Sequence, residues 1–422
     1  MRFIINSRSN ITDCSFFEKL VILVLLLHPI LQIYRFWGPI GFDSLADILV
    51  IFLFFIQKRK IIAPKQIKHY LIYAYIVSIL ALNSWKSIIP IGYILNAAML
   101  LIYMSCIKYK NLMYIYTRLA VVVLAFLFIQ EITLMTAGRA ISGILNFLPI
   151  AIAEESDLWL LNHNESLRQS SFFSEPAHLA QFLAPLLCYY IFSNYKRKYV
   201  ICAILILALL ITQSGNAIVC IVVILALYIY TIIKVDRARG FLFAIFLLFI
   251  VIVGGLFYLT TEGGQMIAKR IITVSDAANP EQISSAYMRL FRGYDLFGRL
   301  PLINQIVGLG DKQNLLDAIR HSSIRHLFGD NDLYFNGISY ILLYSGFVGL
   351  FLFGRIYKYL WQDNTLQGRT YIVLWIVLML MSATYLNSTS AIFLLLANSF
   401  KNKGQEKLNN ENISYNTNLQ TR

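Results

Sequence analysis

Apolar residues run along this chain in blocks, not in alternation. Val21 to Leu27 and Ile218 to Tyr230 are unbroken apolar stretches. A half-buried strand would alternate with a period of two, and a strand of a membrane barrel would do so over about ten residues. Unbroken runs predict helices that are apolar all round. Read this way, the chain holds about twelve candidate spans, at roughly 16–34, 42–56, 69–82, 88–107, 119–135, 176–193, 199–211, 217–233, 241–260, 333–354, 370–386 and 388–400. The connections between them are short except for two, 136–175 and 261–332. Loops that long inside a compact membrane domain are characteristically functional. The turn between the last two spans is poor, so Asn387 to Ser390 could instead lie within one kinked helix.

Composition sharpens this pattern. Of 422 residues, 58% are hydrophobic and only 14% charged, and mean hydropathy is +0.64. A water-soluble fold averages about a quarter charged residues, so the bilayer is the expected solvent. The fold class expected is an all-α polytopic membrane protein. The net charge of +14 does not point to nucleic acid, because the basic residues flank the spans and form no single stripe. They instead set topology. With the N-terminus in the cytoplasm, 24 of the 36 Lys and Arg fall in inner segments, and eight of the other twelve lie in the single long loop 261–332. Long loops translocate largely regardless of charge, so both termini are expected inside, with the third and fifth outer loops the large ones. No small-residue cleavage site follows the first apolar run, which therefore reads as a retained helix. The Asn-rich stretch 401–422 reads as a disordered cytoplasmic tail, and 1–422 otherwise as one integral membrane domain.

The five cysteines lie in or beside apolar segments and neither long loop has one, so disulfides do not staple those loops. There is no C-x-x-C, H-E-x-x-H or G-x-x-x-x-G-K-[ST] pattern. Energy input then comes from the substrate or from a gradient.

Candidate chemistry concentrates in the two long loops. Arg168-Gln-Ser-Ser-Phe-Phe-Ser-Glu175-Pro-Ala-His178-Leu-Ala180 ends the third outer loop and opens the sixth span. Pro176 suits the first helical turn, with Ser174 as its cap and Glu175 favoured by the helix dipole. Arg168, a cation beside a helix start at the membrane surface, is either a partner for a lipid phosphate or pyrophosphate, or a solvated loop residue. In the fifth loop, Arg289 and Arg292 stand three apart, on one face of a helix beside the aromatic residues Tyr287 and Phe291. That helix could lie on the membrane or recognise a pyrophosphate. Arg299 and the turn Gly308-Leu-Gly310 lead on to His321, Arg325, His326, Asp330 and Asp332, where Asp-Asn-Asp could hold a divalent cation through oxygens, although two carboxylates are few. Asp47 and Glu131 fall toward the outer ends of their spans, lining a cavity or reaching the headgroups. Taken singly, no span carries a series of buried charges, which counts against a proton-coupled transporter.

Three stretches, in this order, resemble the Wzy-type O-antigen polymerases of Gram-negative inner membranes, which are related in fold to O-antigen ligases. They are Arg168 to Ala180, the region from Arg289 to Gly308-Leu-Gly310, and Asn336-Gly-Ile with Tyr344-Ser-Gly346-Phe-Val-Gly349. Arg299 stands eleven before Gly310, similar to an Arg-x10-Gly pattern of some polymerases, whereas neither Arg139 nor Arg168 has such a glycine. Ligases typically carry a His-Asn pair eleven residues before the glycine matched by Gly346; here it reads Phe335-Asn336, which favours polymerase over ligase.

The resemblance implies a GT-C-like fold and transfer of a growing glycan from undecaprenyl pyrophosphate to another lipid-linked repeat unit on the periplasmic face. It implies no cofactor and no metal, and essential arginines at Arg168 and Arg289. Arg292, Arg299, His178, His326 and Asn336 are then candidate substrate contacts. Glu175 is the first candidate base for the acceptor hydroxyl, ahead of His178 and His326. The expected partners are lipid-linked donor and acceptor, the bilayer, and a chain-length-regulating co-polymerase. The alternatives are an O-antigen ligase or, from another class, a lipid-linked oligosaccharide flippase.

Overall fold

The computed structural model describes residues 14–37, 40–81, 91–139, 141–145, 148–149, 168–238, 240–241, 245, 290–328 and 335–401. Helices occupy eleven of the expected spans. They are α1 (Phe16–Leu31), α2 (Phe42–Ile56), α3 (Lys65–Leu80), α4 (Ile91–Cys106), α5 (Tyr109–Ala137), α6 (Pro176–Phe192), α7 (Lys198–Ile211) and α8 (Gly215–Val235), then α12 (Gly337–Trp361), α13 (Leu366–Met381) and α14 (Ser388–Ser399). Three short helices, α9 (Arg292–Gly298), α10 (Leu302–Val307) and α11 (Lys312–Arg320), lie in the fifth loop. The expected span 241–260 falls almost wholly outside the described residues, as do the tail beyond 401 and much of both long loops. A minimal antiparallel hairpin, β1 (Arg35–Trp37) with β2 (Ile40–Gly41), joins α1 to α2.

Among the described residues α5, α8 and α12 are long and apolar enough to cross a membrane by themselves. The shorter helices bury against one another. α14 has only twelve residues, yet Ala391 through Ala397 are all buried, because α1, α4, α5, α6 and α13 pack around it. Large apolar side chains such as Phe52, Phe55, Leu207, Val222 and Phe351 instead stay on the outside, as lipid as solvent allows.

Some boundaries differ from the pattern reading. α5 begins at Tyr109 instead of near 119, so Lys110 and Arg118 lie on a helix and not in a loop. The guanidinium of Arg118 sits 4.3 Å from the centre of the Tyr114 ring one turn back, and no glycine or proline interrupts the segment. α13 and α14 are separate helices, because Asn387 caps α14 by accepting from the Ser390 amide at 3.0 Å.

Contacts between helix ends fix their relative directions. At one end Glu18 of α1 accepts from the Lys108 amide (2.9 Å) and from Asn111 of α5 (2.8 Å), and Asn364 donates to the carbonyl of Ala397 at 2.7 Å. At the other end His28 of α1 meets Asp43 and Asp47 of α2, Gln130 of α5 meets Ser171 ahead of α6, and the Gly337 amide donates to the Ser382 carbonyl. This second end, which also carries the described part of the fifth loop, is the site end.

Candidate functional site

The end of the third loop folds into the bundle as a polar turn held by one buried side chain. Gln130 is fully buried; its Oε1 accepts from the Ser171 amide at 2.8 Å, and its Nε2 donates to the Ile141 carbonyl at 2.7 Å. The Ser171 hydroxyl donates to the Val123 carbonyl of α5 at 2.9 Å, and that of Ser170 to the Phe173 carbonyl at 2.8 Å. Ser171 holds a φ of +54°, a region sparsely populated by residues other than glycine. Such strain persists only where the surroundings fix it, and here four hydrogen bonds do. Gly143 is required opposite, since a β-carbon there would collide with the Ser171 carbonyl. Arg168 sits half-buried at the start of this turn.

Pro176 opens α6 as its first residue, as expected. The cap differs: Glu175 is the N-cap residue, without a side-chain capping bond, and the Ser174 hydroxyl bonds Nδ1 of His178 instead, at 2.9 Å. A histidine one turn into the helix offers Ser174 a stronger partner than the helix amides. Glu175 and His178 therefore stand at the N-cap and in the opening turn of α6, seven and ten residues after Arg168.

Arg289 lies outside the described residues, so its pairing with Arg292 on one helical face does too. Arg292 opens α9 and is completely buried. Its guanidinium carbon lies 4.6 Å from the centre of the Phe328 ring and 5.5 Å from that of Phe335, and one nitrogen donates to the Leu327 carbonyl at 3.2 Å. This arginine ties α9 to the chain before and after residues 329–334. Asn336, also buried, caps α12 by accepting from the Ser339 amide at 2.8 Å and donates to the Leu290 carbonyl at 3.2 Å. The Tyr294 hydroxyl lies 3.5 Å from the Asn336 carbonyl oxygen; burial pushes its phenol above the ordinary value, so it stays a neutral donor at neutral pH.

Arg299 and the following helices frame a cavity of about 1000 Å³ at the site end. It is lined by Val77, Leu80 and Ala81 at the end of α3 and, from the fifth loop, by Arg299, Asn304 and His321 among apolar residues such as Leu300 and Ile303. Arg299 donates to the Ser323 hydroxyl at 2.6 Å. His326 is exposed on a short 3₁₀ turn, and Asp330 and Asp332 lie outside the described residues.

The three stretches that are distant in sequence meet here. α12 is broken at Gly346, whose φ of +62° and ψ of −165° interrupt the helical ladder. The amides of Leu309 and Gly310 donate to the carbonyls of Leu343 (2.8 Å) and Tyr344 (3.0 Å). Orphaned backbone groups inside a membrane are costly, and this loop satisfies two of them. α3 closes the other side, the Ser78 hydroxyl donating to the Gly310 carbonyl at 3.0 Å and Tyr73 to that of Val307 at 3.1 Å. The stretch around α6 joins through Ser382: Gln181 donates to its hydroxyl at 3.1 Å, and its carbonyl accepts from the Gly337 amide at 2.9 Å.

Pattern reading misses several of these residues. Gln181 and Ser382 sit in apolar runs with apolar residues on both sides, Gln130 stands beside Glu131 in another, and a polar side chain in an apolar run is their only signal. Asp47 does not reach a headgroup layer: it is 2% exposed, with a carboxylate oxygen 3.5 Å from Nε2 of His28. The hairpin between α1 and α2 brings the two together, so buried ionisable groups do cluster across spans. Glu131 is half-buried on α5. Compared with models of protein families, with curated proteins and with solved structures, the chain matches none of them.

Proposed function

We propose that this helical membrane protein is an O-antigen polymerase. In this reading it is a glycosyltransferase of the bacterial inner membrane with a GT-C-like architecture, its site end facing the periplasm. It joins undecaprenyl-pyrophosphate-linked repeat units, and a chain-length-regulating co-polymerase is a candidate partner. The observation that supports this reading is the meeting at one bundle end of the stretch beginning at Arg168, the described residues 290–310 and the stretch beginning at Asn336, linked through Gly308-Leu309-Gly310 on the broken α12 and through Gln181 and Ser382. The adjoining cavity, whose lining mixes apolar residues of α3 and the fifth loop with Arg299, Asn304 and His321, suits a ligand with both apolar and hydrophilic parts.

The donor carries its own leaving group. As the anomeric bond to pyrophosphate breaks, negative charge grows on the departing oxygens, and guanidinium groups of Arg168 and Arg289 stabilise it more than they stabilise the ground state. Glu175, at the N-cap of α6, accepts the proton of the acceptor hydroxyl, with His178 and His326 as the next candidates. Arg299 faces the cavity as a head-group contact. Arg292 and Asn336 act from within the packing, holding the described part of the fifth loop against α12.

Deletion in a strain that makes O-antigen tests the class. Loss of a polymerase leaves lipopolysaccharide capped with one repeat unit; uncapped core contradicts it and points to a ligase or a flippase. The buried His28–Asp47 contact is the one observation that favours the flippase, since transporters place ionisable pairs inside their bundles. Phe335 at the position of the ligase histidine counts against the ligase.

A further inference from the structure

A second polar centre lies inside the bundle, apart from the loops. His28, three residues before the end of α1, faces two carboxylates of α2: Nε2 is 3.5 Å from Asp47 and 3.9 Å from Asp43. The Asp47 side chain is 3% exposed and that of Asp43 21%. One oxygen of Asp47 has no hydrogen-bond partner among the described residues, and neither has the hydroxyl of Tyr103 on α4, a residue only 3% exposed. Tyr103 lies within electrostatic reach of Asp47. It also lines, with His28, Asn96, Asn387 and Ser388, a cavity of about 10 Å³, room for about one water. Buried polar groups left without partners carry a desolvation penalty unless a small ligand satisfies them.

We propose that His28 and Asp47, with this water-sized cavity, form a site that binds and releases one proton. The charges argue for it. An imidazole and a carboxylate sharing one proton are together neutral, either as imidazolium and carboxylate or as imidazole and carboxylic acid. Without that proton the pair carries a charge of −1 in apolar surroundings. Asp43, 3.9 Å from Nε2 of His28 and partly solvated, is the second carboxylate that faces the imidazole. Among the described residues, the groups that interact with His28 or Asp47 are Asp43 and Asp47 from α2, His28 from α1 and Tyr103 from α4; the packed helices α5 and α14 add none to this set, and the β1–β2 hairpin, which also packs on α2, carries Arg35 outside it.

The step is a single proton transfer. A hydronium in the cavity gives its proton to the pair and is left as water, and release is the reverse. The Tyr103 hydroxyl, hydrogen-bonded to that water, orients it and offers the next oxygen for the proton. Nothing in this site depends on glycosyl transfer, and it stands or falls separately.

Infrared difference spectra of the full-length protein in lipid nanodiscs, recorded between pH 5 and pH 9, test the assignment. The wild type should show a buried carboxyl or imidazole transition that is absent in Asp47→Asn and in His28→Gln. Tyr103→Phe keeps the shape of the side chain and removes one oxygen, so it should fold and should shift the transition by about one pH unit, a tenfold change in proton affinity. Difference spectra that are the same in the wild type and in Asp47→Asn would overturn the proposal and leave a fixed ion pair. A midpoint in Tyr103→Phe equal to that of the wild type would overturn it as well. If Asp47→Asn does not fold, that Tyr103→Phe midpoint alone decides the outcome.

Discussion

The two loop segments that build the site end are anchored by opposite means. The third-loop turn at 168–175 is held by side chains: Gln130, Ser170 and Ser171 make its bonds. The fifth-loop segment at 301–310 is held mainly by backbone groups of its own: the Leu309 and Gly310 amides donate at the break in α12, and the Val307 and Gly310 carbonyls accept from Tyr73 and Ser78. It is also held by a small apolar core of its own, in which Leu296, Leu315, Phe335 and Leu343 are fully buried. Side-chain anchoring is specific and can be removed one bond at a time. Backbone anchoring is indifferent to sequence except where a β-carbon would block the approach. The polar loop end is thus vulnerable to the loss of one amide, and the other to the gain of one methyl.

The largest effect is therefore expected at Gly346. A β-carbon there would run into the Ile306 carbonyl, and φ of +62° disfavours any other residue. Gly346→Ala should destabilise the protein by about 3 kcal/mol, the upper part of the range for a residue forced into such a conformation. Protease should then cut readily within 299–328. Gly354→Ala on the same helix, where a β-carbon meets nothing within 4 Å, is the control and should melt no lower than the wild type.

Gln130→Leu comes next. It leaves the buried Ser171 amide without its acceptor and should cost about 2 kcal/mol, read as a lower melting temperature and faster cleavage near Arg168, with 299–328 still protected. Cleavage of both segments together would show that the two anchors are one cooperative unit.

Gln181→Leu and Ser382→Ala should each cost about 1 kcal/mol. Because they share one hydrogen bond, the double variant should cost clearly less than the sum. Simple additivity would remove the link between α6 and the start of α12.

Much of this architecture is legible in the sequence, for a physical reason. Helices that are apolar all round announce themselves as runs, and Pro176 at a helix start and Gly308, Gly310 and Gly346 are residues whose backbone limits are readable without neighbours. What the runs hide is pairing across helices. His28 and Asp47 look like two unrelated polar residues until the α1–α2 hairpin places them 3.5 Å apart. Arg292 shows the reverse case: its charge suggests a surface contact, yet two phenylalanine rings and a carbonyl enclose it. Spacing along a sequence shows which face a charge takes on its own helix, but not what later folds over that face.

The central claim is that the site end transfers glycan between lipid-linked repeat units. Purified protein in nanodiscs, supplied only with undecaprenyl-pyrophosphate-linked repeat units, tests it most directly. The account predicts a ladder of lipid-linked oligomers growing by one unit, with one undecaprenyl pyrophosphate released per bond formed. Arg168→Ala, at normal melting temperature, should be slower by about 100-fold, the typical loss for one donor to a developing anion. Repeat units left unextended by folded wild-type protein, or a ladder formed equally well by Arg168→Ala, would contradict it.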